Sequence, residues 1–88
     1  MSMNVFIRGA SSGIGAALAR EFASRGATLG LMARRQEALD DLIKTLPNSD
    51  RHHGYACDVT DRLRLIELAR QFDKTVGGAD IVIANAGI

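Results

Sequence analysis

Four short stretches of this 88-residue chain carry residues whose types and spacing suit a phosphorylated ligand. The first is Gly9-Ala10-Ser11-Ser12-Gly13-Ile14-Gly15, with glycines in a G-x-x-x-G-x-G spacing. Glycine adopts positive φ at little cost. Its missing Cβ lets a pyrophosphate approach the backbone and lets a helix pack tightly on a strand. A helix opening here offers unpaired N–H groups and a positive dipole end, which suit a phosphate. The others are Arg34-Arg35, Asp58-Val59 and Asn85-Ala86-Gly87. Each has a plain structural reading beside the chemical one. The glycine spacing alone fits a tight strand–helix turn, with Ser11 and Ser12 as turn and cap residues. Arg34 and Arg35 fit two solvated residues opening a helix. Asp58 fits a turn acid, and Asn85-Ala86-Gly87 a strand-ending turn.

The elements that position these stretches follow from hydrophobic pattern. Met3 to Arg8 reads as the first strand, and Gly13 to Ser24 as the first helix. That helix carries Ile14, Leu18 and Phe22 at every fourth place with Ala17 beside them, and Gly26 ends it. Thr28 to Ala33 reads as a second strand, though Gly30 within it weakens the pattern. Leu39, Leu42, Ile43 and Leu46 form the stripe of a second helix, stopped by Pro47. Arg51 to Cys57 reads as a polar third strand, suited to a sheet edge, with His52 and His53 on opposite faces at its surface. Thr60 is the expected N-cap of a third helix over Asp61 to Val76. Its apolar set (Leu63, Leu65, Ile66, Leu68, Ala69, Phe72, Val76) is broad enough to predict burial on more than one side, and Gly77-Gly78 ends it. Asp80 to Ala84 is apolar on both faces, the pattern of a strand inside a parallel sheet.

Strands alternating with helices imply an α/β fold with a parallel sheet and right-handed crossovers. Four strands and three helices make half of a doubly wound, Rossmann-type sheet of expected order 3-2-1-4. The ligand belongs where the order reverses, between the first and fourth strands.

Composition narrows the function. Net charge is +1 with both signs interspersed, and there is no Trp, so neither a nucleic-acid stripe nor a base-stacking platform is indicated. The lone Cys57 forms no internal disulfide and fits a reducing compartment as a buried small residue. The N-terminus lacks a basic segment followed by a long apolar one, so no secretory leader is expected, and no apolar run nears bilayer length. The expectation is a cytoplasmic chain without a membrane partner. A domain this short buries only about 60–65% of its unfolded surface.

Together, Gly9-Ala10-Ser11-Ser12-Gly13-Ile14-Gly15, Ala33-Arg34-Arg35, Asp58-Val59 and Asn85-Ala86-Gly87 resemble the short-chain dehydrogenase/reductase family, in order and spacing over nearly the whole chain. The resemblance implies that residues 1–88 are the N-terminal part of a dinucleotide-binding domain, truncated relative to its parent. It also implies that Gly9, Ser11, Ser12, Gly13, the Ile14 backbone and Gly15 line the cofactor's phosphate and ribose side. Asp58 would bond the adenine amino group, and the Val59 backbone would address the ring. Asn85, Ala86 and Gly87 would floor the cofactor ribose and tie the fourth strand to the first.

In a dinucleotide fold an acid at the end of the second strand holds the ribose hydroxyls and repels a 2′-phosphate. That place falls near Ala33, 18 residues after Gly15, and holds no acid. Arg34 follows, and a guanidinium fork suits a phosphate. The expectation is NADP(H) over NAD(H), with Arg34 the discriminator and Arg35 a helper.

Two departures from the family pattern stand out. Arg8 occupies the place where the family usually has threonine, and burying its charge without a partner would be costly. It is expected to perturb the strand end rather than to bind a phosphate. The family's catalytic serine, Tyr-x-x-x-Lys pair and asparagine all lie beyond the Asn-Ala-Gly turn. Here the only tyrosine, Tyr55, is followed four places on by Val59. No catalytic residue is therefore assigned, no metal cluster surrounds the histidines, and the 88 residues alone should be inactive.

The parent reads as an oxidoreductase passing hydride between nicotinamide and a carbonyl or alcohol on a small-molecule substrate. The alternative is a non-catalytic nucleotide-binding or interaction module complete at Ile88. A methyltransferase of similar topology is weaker. A P-loop is excluded because no Gly-Lys-Ser/Thr follows the turn. An apolar fourth strand and a broad third helix predict a homo-oligomer, through Ile81-Val82-Ile83 or the helix if the chain stands alone.

Overall fold

The computed structural model describes residues 3–11 and 13–84. Ser12 and Asn85-Ala86-Gly87, named above for the ligand, lie outside the described residues. The element order is β1 (Asn4–Arg8), α1 (Gly13–Ser24), β2 (Thr28–Ala33), α2 (Gln36–Lys44), a 3-10 turn (Ser49–Arg51), β3 (His53–Ala56), α3 (Arg62–Val76) and β4 (Ile81–Ala84). The four strands form one parallel sheet in the order β3-β2-β1-β4, as the alternation predicts. Central β1 pairs on both sides, with Val5 opposite Leu29 in β2 and Ile81 in β4.

Each sheet face buries its own cluster. Val5 and Ile7 of β1 and Leu29 and Leu31 of β2 point to the side covered by α1 and α2. The alternate residues Phe6 and Met32 point to the other side, where Tyr55, Leu68 and Phe72 meet them. This two-residue alternation is the strand period expressed in packing. The Phe6 and Phe72 rings stand 5.5 Å apart at 42°, and Phe6 and Tyr55 6.1 Å apart. Burying each such ring contributes about 1.5–3 kcal/mol. Gly30 exists for these rings: a Cβ on it would lie 2.6 Å from Phe72 Cδ1 and 2.8 Å from Phe6 Cδ1.

Several expectations are corrected. The buried stripe of α1 is Gly15, Ala16, Ala19 and Ala23, while Ile14 is 70% exposed and Ala17 is exposed. Leu18 and Phe22 pack only at the margin of the core. Small residues win because the glycine turn draws this helix close to the sheet, leaving no depth for large side chains.

The broad apolar set of α3 is not buried all round. Leu68 and Phe72 are buried and Leu65, Ala69 and Val76 partly so, but Leu63 is 79% and Ile66 46% exposed. β4 has a strand on one side only among the described residues, as the expected order 3-2-1-4 requires. It lies at the sheet edge with Ile81 and Ile83 half-buried and Val82 63% exposed.

Third, His52 is not a surface residue. It is 7% exposed, and its Nδ1 accepts the Leu29 N–H at 3.2 Å while Nε2 lies 2.8 Å from the Pro47 carbonyl. Those partners require a neutral ring donating from Nε2. Burial, foremost, lowers its pKa from the usual 6.5. His53 is half-buried, its ring edge-on to Phe72. The strand accordingly begins at His53 rather than Arg51.

Finally, the N-cap of α3 is Asp61, whose carboxylate accepts the Arg64 N–H at 3.2 Å; Thr60 is engaged elsewhere. Asn4 adds a clamp that periodicity does not reveal. Its side-chain amide donates to the carbonyls of Val76 and Gly78, at 3.2 and 3.0 Å, fixing the end of α3 to the start of β1.

Candidate dinucleotide site

The site sits at the carboxyl ends of β1, β2 and β3, and the chain builds it in three steps. First, β1 ends by turning sharply. Gly9 adopts φ +71°, and the N–H groups of Gly9 and Ala10 both donate to the Met32 carbonyl, at 2.9 and 3.0 Å. This pins the glycine turn to the end of β2. Gly13 has φ +55°, a value that L side chains rarely adopt. The turn delivers the first residues of α1 so close to β1 that a Cβ on Gly15 would lie 2.0 Å from the Gly9 carbonyl oxygen.

Second, β2 ends at Ala33 and the chain passes through Arg34 and Arg35 into α2. Arg35 is the N-cap of α2 in extended conformation and makes no side-chain cap bond. Both arginines are exposed, and neither is ion-paired among the described residues. Their guanidinium groups remain available to an anion.

Third, β3 leads through Cys57 to the Asp58 turn. The Cys57 N–H donates to the Ala33 carbonyl at 2.8 Å and keeps this turn beside the end of β2. Asp58 Oδ1 accepts the N–H and the hydroxyl of Thr60, at 2.9 and 2.8 Å. These two bonds, with the Arg34 charge as a smaller influence, hold the Asp58 carboxyl below the usual carboxylate range. The carboxylate is thereby ionised and aimed. The Cys57 thiol is pushed the other way, chiefly by burial, and Sγ donates to the Asp58 carbonyl at 3.3 Å. It is a packing residue, not a nucleophile. Burial also raises the Tyr55 pKa, and its ring packs on Phe6.

These segments enclose a cavity of about 620 Å³. It brings together Gly9, Ser11, Arg34, Arg35, Asp58 and Val59, drawn from three of the four motifs singled out above. Gly13, Ile14 and Gly15 do not line it; they set the turn and the helix start. Ala33, where the discriminating acid would stand, lines it too, as do Ala38 and Thr60, which were not expected. A signal for Thr60 was present, since an Asp followed two places on by Thr is a self-bonded turn. Among the described residues no three His, Cys, Asp or Glu side chains form a group fit for a metal ion. No helix there is long and apolar enough to cross a membrane.

The cavity has the parts of a nucleotide cradle: a glycine turn at a helix start, a basic pair, and a fixed carboxylate. The sequence matches the short chain dehydrogenase family over residues 3–88. The chain belongs to that family. Among curated short-chain relatives it is 38% identical over 84 residues to farnesol dehydrogenase of Aedes aegypti, covering 93% of this chain and 34% of that protein. The structure superposes with a TM-score of 0.88 on a short-chain dehydrogenase from Streptomyces avermitilis, at 37% identity, over 99% of this chain and 31% of the other. An actinorhodin polyketide ketoreductase variant solved with NADPH gives a TM-score of 0.87 at 30% identity, over 99% and 34%. This short-chain dehydrogenase sequence thus spans between about a quarter and a third of the length of the curated relatives it matches.

Proposed function

We propose that these residues are the N-terminal, NADP(H)-binding part of a short-chain oxidoreductase. The observation that carries the reading is the position of Arg34: it directly follows β2, borders the same cavity as the glycine turn, and has no carboxylate paired to it among the described residues. The fold itself takes either nicotinamide cofactor. An acid at this place would select NAD by holding the ribose hydroxyls and repelling a 2′-phosphate. A planar cation selects the phosphate instead, through charge-assisted bonds. Arg35 lines the same cavity and assists.

The residues fit the group. Where Gly15 sits, no side chain could be accommodated, and the positive φ of Gly9 and Gly13 leaves the turn's backbone open to a pyrophosphate. The start of α1 turns its N–H groups and dipole to that phosphate. Asp58, fixed by Thr60, accepts from the adenine amino group, and the Val59 backbone addresses the ring. By the family resemblance, Ser12 and Asn85-Ala86-Gly87 complete the phosphate and ribose side. When bound, the nicotinamide supplies or accepts the hydride for a carbonyl or alcohol of a small-molecule substrate. The proton moves through a tyrosine of the Tyr-x-x-x-Lys pair, which residues 1–88 do not contain, so these residues alone bind without turnover.

The test is a fluorescence titration of the whole natural protein with NADPH and NADH. NADPH is expected to bind more tightly, and Arg34→Ala to bring the two affinities together. An unchanged affinity ratio in Arg34→Ala overturns the assignment of Arg34.

A further inference from the structure

A second cavity, of about 260 Å³, lies between the end of β1 and the first turns of α3. Its lining is Arg8, Val59, Arg62, Leu65 and Ile66. Val59 also lines the nucleotide cavity, so the two adjoin. Arg8 neither reaches the nucleotide cavity's lining nor lies free in solvent. It is half-buried, and its Nε is fully buried with no hydrogen-bond partner among the described residues. Neither Arg8 nor Arg62 is ion-paired among the described residues. Asp61, the nearest acid in sequence to Arg62, accepts the Arg64 N–H instead.

We infer that Arg8 and Arg62 form an anion site, distinct from the nucleotide cavity, that takes a carboxylate or phosphate carried on a short apolar stem. Two guanidinium groups sharing one cavity repel each other unless an anion lies between them. A buried donor without an acceptor is costly, and an oxyanion removes that cost with a charge-assisted bond. Val59, Leu65 and Ile66 line the cavity with apolar surface that gives the stem its contact. The start of α3 adds the positive end of a helix dipole. The usual family pattern, with threonine at position 8, does not carry this arginine pair. The same oxyanion chemistry can be offered by a dissolved small molecule or by an Asp or Glu side chain of the protein.

Thermal unfolding of the whole natural protein tests this and separates the two sources. Inorganic phosphate is titrated at constant ionic strength against wild type, Arg8→Met, Arg62→Gln and the double variant. For a dissolved anion, phosphate raises the wild-type melting temperature, and its apparent affinity falls about tenfold or more in each single variant. For an internal carboxylate, wild type ignores phosphate, both single variants melt lower, and the double variant loses less than their sum because both arginines hold one group. Two results overturn the inference. One is an Arg8→Met protein at least as stable as wild type with no variant-dependent response. The other is a phosphate response equal in all four proteins, which would mark general ion exclusion or binding elsewhere. Arg62 stands on an exposed helix face, so Arg62→Gln remains readable should Arg8→Met fail to fold.

Discussion

Gly15 stands so close to Gly9 that the first carbon of any side chain on it would lie 2.0 Å from the Gly9 carbonyl oxygen. The obstacle is backbone, so it cannot be relieved by turning a side chain. Gly15→Ala must push α1 off the sheet and disturb Ala16, Ala19 and Ala23 beneath it. The expected cost is about 3 kcal/mol or more of stability, with loss of NADPH binding. Urea denaturation followed by circular dichroism measures the first and fluorescence titration the second. A Gly15→Ala protein with unchanged midpoint and affinity would contradict the close contact.

Arg34 should act on cofactor choice rather than on folding. It is exposed and without an ion pair among the described residues. Arg34→Ala should weaken NADPH by about 10- to 100-fold, the range expected of a hydrogen bond to a charged group. NADH affinity and melting temperature should hardly change. Equal losses for both cofactors would show that Arg34 contacts a part the two share.

The buried His52 ring makes stability depend on pH. Its lowered pKa means that, below about 6.5, the unfolded chain takes up a proton that the folded chain resists. Stability is therefore fully present above that pH and declines as pH falls below it. Burial, helped by the Arg51 and His53 charges, outweighs the hydrogen bond to the Pro47 carbonyl and the Asp50 charge, which favour the protonated ring. A protonated Nδ1 could no longer accept the Leu29 N–H. His52→Leu should cost about 1–3 kcal/mol at about pH 7.5 by orphaning that N–H, and should flatten the slope of the urea midpoint across the acid range below the usual histidine pKa of 6.5. An identical slope in the variant would assign the acid sensitivity to other groups.

The edge strand β4 predicts self-association when residues 1–88 are isolated. Its exposed Val82 flanks backbone groups that no further strand pairs among the described residues. Light scattering should report a dimer or larger species, and Val82→Lys should shift it toward monomer. A monomer at high concentration in the unsubstituted chain would discount both β4 and α3 as contact surfaces.

Much of the architecture was legible because strand order and type follow from alternating apolar runs and breakers. The Rossmann-type sheet and the clustering of Gly9, Arg34 and Asp58 followed from where those runs end. What escaped depended on three-dimensional depth. The Ile14, Leu18 and Phe22 spacing is sound helical periodicity, yet the turn geometry hands the core to alanines. His52 looks like a polar edge residue until Leu29, on the neighbouring strand, and Pro47, in the turn just before it, supply partners. Thr60 and Asp61 are both fitting caps by type. The choice between them came from Asp58, which takes Thr60 for its own turn. Gly30 weakens a strand pattern but makes room for two rings that only the fold brings together.

The two ends of α3 are held very differently. Its last turns carry buried Phe72 and receive the Asn4 clamp, whereas its first turns expose Leu63 and Ile66. Amide hydrogen exchange should therefore be polarised along one helix, fast at the start and slow at the end. The fast end borders both the Asp58 turn and the Arg8 cavity. Occupancy of either site would be written into the exchange rates of the same few amides, making this half-turn of backbone a built-in reporter for two ligands at once.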